Sequence, residues 1–255
     1  MTRMPLPLTE HFVTLPFLAW KCNDYTLKCN RIDIWQYSLE QSWPEAFYLL
    51  NTLEQHRAKR YHFERHQRRF IIARAMLRII LARYLQCDAK AIVFSENVYG
   101  KPELVGPSLL QFNLSHSRES ALLAIGHTHP LGIDLEYFSN RSLTGISRLV
   151  FSKAEISEFS RVTPANRSLS FFHIWAQKEA FIKACGMGLS YPLQSFDVPH
   201  LPPTHKVIED PLHKKDWMMR SFMPEPACCA ALCCHIDTCT LRYHIVRKND
   251  HAFTR

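Results

Sequence analysis

Three carboxylates and a lysine carry the first chemical signal in this 255-residue chain. Asp134 and Glu136 are separated by one residue in LGIDLEYF, where alternation predicts a strand. Side chains two apart on a strand share a face, so both carboxylates point one way while Ile133 and Leu135 point into the core. Adjacent acids repel, and a divalent cation that prefers oxygen ligands relieves the repulsion. A strand whose polar face meets water has the same spacing, and on spacing alone both readings stand. Glu179 and Lys183 lie four apart in WAQKEAFIKACGMGLS, which puts them on one helix face. An exposed ion pair would satisfy that spacing as well. However, Phe172, Trp175, Ala176 and Ile182 border the same side, and polar groups against an apolar surface need a partner or a ligand. A third acid with a lysine suits a magnesium–diphosphate site, the acid completing the metal shell and the ammonium meeting phosphate oxygens.

Anion-binding groups occur elsewhere. Arg57, Lys59, Arg60, Arg65, Arg68 and Arg69 precede or open a long helix, although such runs commonly form a solvated face. Lys101 sits in a glycine–proline turn, and His116 lies between Ser115 and Ser117. Neither spacing matches a P-loop or a dinucleotide glycine fingerprint, and no GxSxG nucleophile elbow is present.

The elements that must position these groups fall into two halves. Residues 1–30 read as an extended arm. Residues 31–38 alternate as a strand, residues 42–53 form a short capped helix, and a long helix runs to Leu85 with Ala73, Leu77, Ile80, Leu81 and Tyr84 along one face. A short strand at 92–95, a turn at 99–102 and paired strands at 111–117 and 121–125 complete residues 31–130. The second half, 131–240, opens with the acid-bearing strand. Helices follow at 153–159 and 168–185, the latter stopped by Gly186, then strands at 195–198, 217–222 and 227–235. Residues 241–255 read as a tail. The halves look alike, predicting an α+β fold of two similar, pseudo-twofold-related subdomains. Each would be a small antiparallel sheet packed with a long helix, the site lying between them.

Taken in order, YGKP, FNLSHS, GIDLE, FSKAE and W-x-x-KEAFIKACGMGLS resemble the motifs of the 4'-phosphopantetheinyl transferase superfamily, closest to its two-lobed surfactin-type branch. The resemblance runs from about Arg31 to His235. It implies transfer of phosphopantetheine from coenzyme A, the co-substrate, to a serine of an apo-carrier protein, a holo-[acyl-carrier-protein] synthase type of activity. It further implies Asp134, Glu136 and Glu179 as ligands of Mg²⁺, with Mn²⁺ an alternative. Glu179 is also the general-base candidate, and Lys183 the contact to the diphosphate. Ser115 and His116 match a phosphate-contacting pair, and Tyr99, Gly100, Lys101 and Pro102 match a loop around adenine. Arg57 and Arg69 match basic contacts to the 3'-phosphate end, and Glu155 in FSKAE matches an accessory acid near the metal.

Composition bounds the setting. With 47% hydrophobic and 21% charged residues the chain has enough apolar material for a buried core, which excludes a disordered protein. The net charge of +8 favours acidic partners such as nucleic acid, an anionic membrane, a phosphorylated small molecule or an acidic protein, and the resemblance implies an acidic carrier protein. Nucleic acid would also suit that charge, but no aromatic–basic pattern or fold signature supports it. The three acids and the lysine are all present, which argues against a catalytically silent relative that binds coenzyme A or carrier protein without transfer. Cys228, Cys229, Cys233 and Cys234 form CCxxxCC in an apolar run, which reads as buried strand rather than a zinc ribbon. Nine cysteines and no continuous apolar run of about 18 residues predict a cytoplasmic chain without a membrane span. A two-lobed chain builds its site alone, predicting a monomer.

Overall fold

The computed structural model describes residues 17–18, 24–139, 143–200 and 204–246. Most of the expected arm, and residues 247–255 of the expected tail, lie outside them. Two sheets stack face to face, each covered on its outer face by one long helix.

The first lobe comprises β1 (Phe17–Leu18), β2 (Arg31–Ser38), α1 (Thr52–Lys59), α2 (Glu64–Leu85), β3 (Phe94–Glu96), β4 (Pro102–Leu104), β5 (Leu110–Ser117) and β6 (Ser120–His127). The second comprises β7 (Gly132–Tyr137), α3 (Leu143–Val150), α4 (Lys153–Arg161), α5 (Arg167–Cys185), β8 (His205–Asp210), β9 (Lys215–Phe222) and β10 (Cys228–His235). Each lobe runs strand, long helix, hairpin, and inserts the second hairpin strand beside the first strand. The orders are β2-β6-β5 and β7-β10-β9. That shared topology is the internal repeat expected from sequence.

Alternation explains the layers. On β2, Trp35 and Tyr37 face α2, packing with Leu77, Ile80 and Leu81. Ile32 and Ile34 face the other way and meet Ile133 and Leu135 of β7 between the sheets. The cysteine-rich strand β10 is split in the same way. Cys228 and Cys234 enter the inter-sheet core, whereas Cys229 and Cys233 face the core under α5. All four are buried free thiols acting as small hydrophobes.

Besides α3 and β8, which the sequence reading did not include, three elements differ from it. The helix at 42–53 is a 3₁₀ turn, Pro44–Leu49, followed by α1, whose start carries a capping box of Asn51 and Glu54. No ladder forms at 195–198. There a 3₁₀ turn, Leu193–Ser195, lets the Lys178 ammonium bind the carbonyls of Leu193 and Phe196, while Phe196 stacks on Phe181. The tail is the third correction. Thr240–Val246 form β11, which returns to the first sheet and runs parallel to β2, so that sheet is mixed rather than antiparallel. Buried Arg242 fixes this strand by donating to both carboxylate oxygens of Asp33, at 2.7 and 2.6 Å. Among the described residues no helix is long and apolar enough to cross a membrane.

One contact sets the second lobe. The backbone of α5 lies directly on β7 at Gly132, where an added Cβ would stand 2.1 Å from Ala180 O and 2.4 Å from Ala184 N. Backbone atoms there cannot rotate away, so overpacking must push the helix off the strand. Gly132→Ala is predicted to destabilise the fold by about 1–3 kcal/mol, read as a lower denaturation midpoint. An unchanged midpoint would show that the helix does not rest on this residue.

Candidate active site

The apposition of β7 and α5 brings the four chemical residues together. Asp134 is only 3% exposed. Its Oδ1 accepts hydrogen bonds from Lys183 Nζ at 2.6 Å and from Ser115 Oγ at 2.9 Å. Lys183 also donates to Ser115 Oγ at 3.1 Å, closing a triangle between the lobes. The other oxygen, Asp134 Oδ2, is buried without a hydrogen-bond partner. Glu136, two residues on, accepts from Trp175 Nε1 at 3.1 Å through Oε1 and from Ser117 Oγ at 3.3 Å through Oε2. Glu179 follows Trp175 by one helical turn and precedes Lys183 by another.

Strand β5 supplies the opposite wall. Asn113, Ser115 and Ser117 share one face and reach in succession to Ile133 N, Asp134 and Glu136. Asn113 thereby satisfies a backbone donor on the edge of β7 at 2.8 Å. Ser117 and Trp175 were not among the expected site residues. Their signal was available, since Ser117 lies two residues beyond Ser115 on a strand and Trp175 four before Glu179 on a helix.

Electrostatics mark the cluster as short of positive charge. Burial pushes the Glu179 carboxyl up to about 7; Asp134 and Glu136 add to this, and Lys183 opposes it. The Glu136 carboxyl is raised too, first by burial and then by Asp134. Burial works against the Lys183 ammonium, but Asp134, Glu179 and Glu136 together hold its pKa above the ordinary value. Three acids face one lysine, and an acidic oxygen stays unpartnered. Oxygen-only donors with excess negative charge fit a hard divalent cation such as Mg²⁺ or Mn²⁺.

The remaining expected residues divide. In the loop between β3 and β4, Asn97 Oδ1 accepts from the backbone N–H of Tyr99 and Lys101, and Gly100 takes φ +84°, which glycine adopts without strain. This loop clasps the C-terminal end of α5. Lys101 Nζ donates to Lys183 O at 2.7 Å and Leu131 O at 2.9 Å, and Asn97 Nδ2 donates to Gly186 O at 2.8 Å. The Lys101 ammonium is thus committed to one carbonyl at the end of α5 and one just before β7, and burial lowers its pKa to about 8. Lys101 and Pro102 line a cavity of about 380 Å³ with Asn97, Gln111 and Gly186, while Tyr99 is half exposed and lies outside that lining. The surrounding protein, then Lys183 and Arg69, hold His116 below its usual pKa.

Arg69 pairs with Glu119 at 2.5 Å and lines a second cavity, about 400 Å³, with Arg118, Glu136 and Trp175. Arg57 is exposed on α1 and lies over the Phe70 ring, with no contact to the acids. Glu155 is not brought to the cluster either. It is the N3 residue of a capping box with Ser152 on α4. It pairs with Lys178 at 2.9 Å and accepts from Val198 N at 2.8 Å. Lys178 faces the core and Glu179 the site, so FSKAE and the first residue of KEA build the lobe rather than the cluster.

Residues 130–231 match the 4'-phosphopantetheinyl transferase superfamily, and residues 33–128 match the family of 4'-phosphopantetheinyl transferase N-terminal domains. The chain is 33% identical over 214 residues to the 4'-phosphopantetheinyl transferase HetI of Nostoc sp., spanning 81% of this chain and 89% of the relative. The chain belongs to the 4'-phosphopantetheinyl transferase superfamily. Sfp of Bacillus subtilis, another 4'-phosphopantetheinyl transferase, is 33% identical over 161 residues, covering 63% of this chain and 71% of the relative. The L-aminoadipate-semialdehyde dehydrogenase-phosphopantetheinyl transferase of Xenopus laevis is 28% identical over 166 residues, covering 60% and 55%. The two matched segments of this transferase chain meet between β6 and β7, where the two lobes join.

The raised Glu179 pKa has a stability consequence. Between the ordinary carboxyl pKa of 4.5 and about 7, the folded chain holds a proton that the unfolded chain has released. Stability therefore falls as pH rises through this window and levels off above it. In metal-free protein, Glu179→Gln is expected to flatten that part of the stability–pH curve, measured by urea denaturation between pH 4.5 and 8. Parallel curves for both proteins would contradict the assignment.

Proposed function

We propose that this chain transfers the 4'-phosphopantetheine arm of coenzyme A to a serine hydroxyl of an apo-carrier protein and releases 3',5'-ADP. The observation that carries this reading is the buried Asp134 carboxylate, with one oxygen unpartnered and the other on Lys183, beside Glu136 and within electrostatic reach of Glu179. Asp134, Glu136 and Glu179 would hold Mg²⁺, which when bound neutralises diphosphate charge and acts as a Lewis acid.

Glu179 is suited to take the proton of the carrier serine. Burial and the neighbouring acids raise its pKa, an effect that a bound cation would offset, keeping the carboxylate ionised and able to accept that proton. The serine oxygen then bonds to the β-phosphorus as that phosphorus loses its bond to the oxygen of the leaving 3',5'-ADP. Lys183, a quarter exposed, turns its ammonium toward the departing phosphate and gives up its 3.4 Å contact to Ile133 O. Trp175 and Ser117 hold Glu136 in place throughout.

The rest of coenzyme A follows from the flanking groups. The cavity beside Lys101 and Pro102 is of a size to take adenine, within the range usual for small-molecule sites. His116 and Arg69 are assigned to the 3'-phosphate, because the Arg69 guanidinium is near enough to His116 to help lower its pKa and both could meet one anion. The cavity lined by Arg69 and Arg118 is assigned to the approach of an acidic carrier, whose charge complements a chain of net +8. A surfactin-type transferase working as a monomer on carriers of fatty-acid, polyketide or peptide synthesis is the finer form of this reading.

Incubation with coenzyme A, Mg²⁺ and a panel of apo-carriers should add one phosphopantetheine to a carrier serine, seen as intact mass. Glu179→Gln should slow that addition by about 100-fold or more while leaving circular dichroism unchanged. No addition to any carrier would sink the function, and full activity in the variant would remove Glu179 from the chemistry.

A further inference from the structure

Outside the carboxylate cluster, three metal-ligating side chains converge at the far end of α5. Cys185 is the last residue of that helix, Asp210 ends β8, and His213 lies in the turn leading to β9. Cys185 Sγ lies 3.4 Å and His213 Nδ1 2.7 Å from the same atom, Asp210 Oδ2. The three ligand atoms all lie within 4.8 Å of one another, the one such His, Cys, Asp or Glu group among the described residues.

Their surroundings resemble a built site rather than a chance encounter. Asp210 is 1% exposed, and its other oxygen is fixed from behind by Tyr191 OH at 2.6 Å and by the N–H of Leu212 and His213 at 3.0 and 3.1 Å. Oδ2 is thereby presented toward Cys185 and His213, the kind of outer hydrogen bonding that orients a metal-binding carboxylate. The His213 side chain is half exposed, which leaves a path for an ion and room for a water. Sulfur, imidazole and carboxylate together are poor ligands for Mg²⁺ and good ones for zinc. A tetrahedral zinc with bonds of about 2.0–2.3 Å separates its ligand atoms by roughly 3.3–3.8 Å. The Cys185–Asp210 separation already fits, and His213 needs to withdraw by about half an ångström, which its exposure allows.

We propose that Cys185, Asp210 and His213 form a zinc site, with water as fourth ligand, that staples the C-terminal end of α5 to the β8–β9 hairpin. On binding, the Cys185 thiol proton passes to solvent, and His213 binds through Nδ1 as the tautomer protonated on Nε2. The staple acts on the helix end that Asn97 and Lys101 also clasp, so it would stiffen the support of Lys183 without adding a group to the reaction.

Cobalt reports such a site directly. Chelator-treated protein, kept in excess Mg²⁺ to occupy the carboxylate cluster, is titrated with Co²⁺, and its melting temperature is followed with and without Zn²⁺. Wild type should show a thiolate-to-cobalt charge-transfer band, tetrahedral visible bands and a higher melting temperature in zinc. Cys185→Ser and His213→Ala, each with wild-type circular dichroism, should lose the bands and the thermal shift. Absence of the bands in wild type would overturn the site. So would bands, or a thermal shift, that persist in either variant.

Discussion

The close approach of α5 to β7 governs this structure. Only hydrogen fits on Cα of residue 132, because the helix backbone fills the space a side chain would take. With helix and strand in direct contact, an acid two residues along the strand and a lysine on the helix become hydrogen-bonding neighbours, and Lys183 reaches Asp134 at 2.6 Å. A bulkier layer between them would break that link. The motif GIDLE is thus one physical unit: a glycine that admits the helix, two apolar residues facing the inter-sheet core, and two acids facing the site.

That proximity assembles a cluster which is electrostatically incomplete. Buried carboxylates are costly unless paired, and one lysine cannot satisfy three of them. The protein answers the deficit in two ways. It raises the pKa of both Glu136 and Glu179, the latter to about 7, so that a proton on Glu179 can stand in for missing positive charge. It also holds Asp134 and Glu136 with Ser115, Ser117 and Trp175, fixing the acids where a cation can relieve their repulsion. Both lobes contribute, since the serines come from β5 and the acids from β7 and α5. The site exists only while the two sheets stay docked.

Most of this core was legible in sequence, because strand and helix periods alone place Asp134 with Glu136 and Glu179 with Lys183. What period could not show is which acid serves structure. Glu155 resembles a site acid, yet S-K-A-E is also the pattern of a helix capping box, and the structure uses it as one. The strand β11 was read as tail, although Leu241, Tyr243 and Ile245 alternate; the Arg242–Asp33 pairing that fixes it spans 209 residues, beyond any local signal. Strand β8 was missed because as an edge strand it buries little besides Ile208 and Asp210, so it reads as polar loop. Lys101 lines the cavity expected for adenine and also caps a helix from the other lobe, a tertiary contact with no sequence signature.

The central claim is that Asp134, Glu136 and Glu179 form a single divalent-cation site. Electron paramagnetic resonance of Mn²⁺ tests it most directly, because free and protein-bound ion are distinguished without turnover. Wild type is expected to bind Mn²⁺ at one site that Mg²⁺ competes for, and Asp134→Asn, folded as judged by circular dichroism, is expected to lose that binding. Equal Mn²⁺ binding by wild type and variant, or none by wild type even with coenzyme A present, would contradict the account.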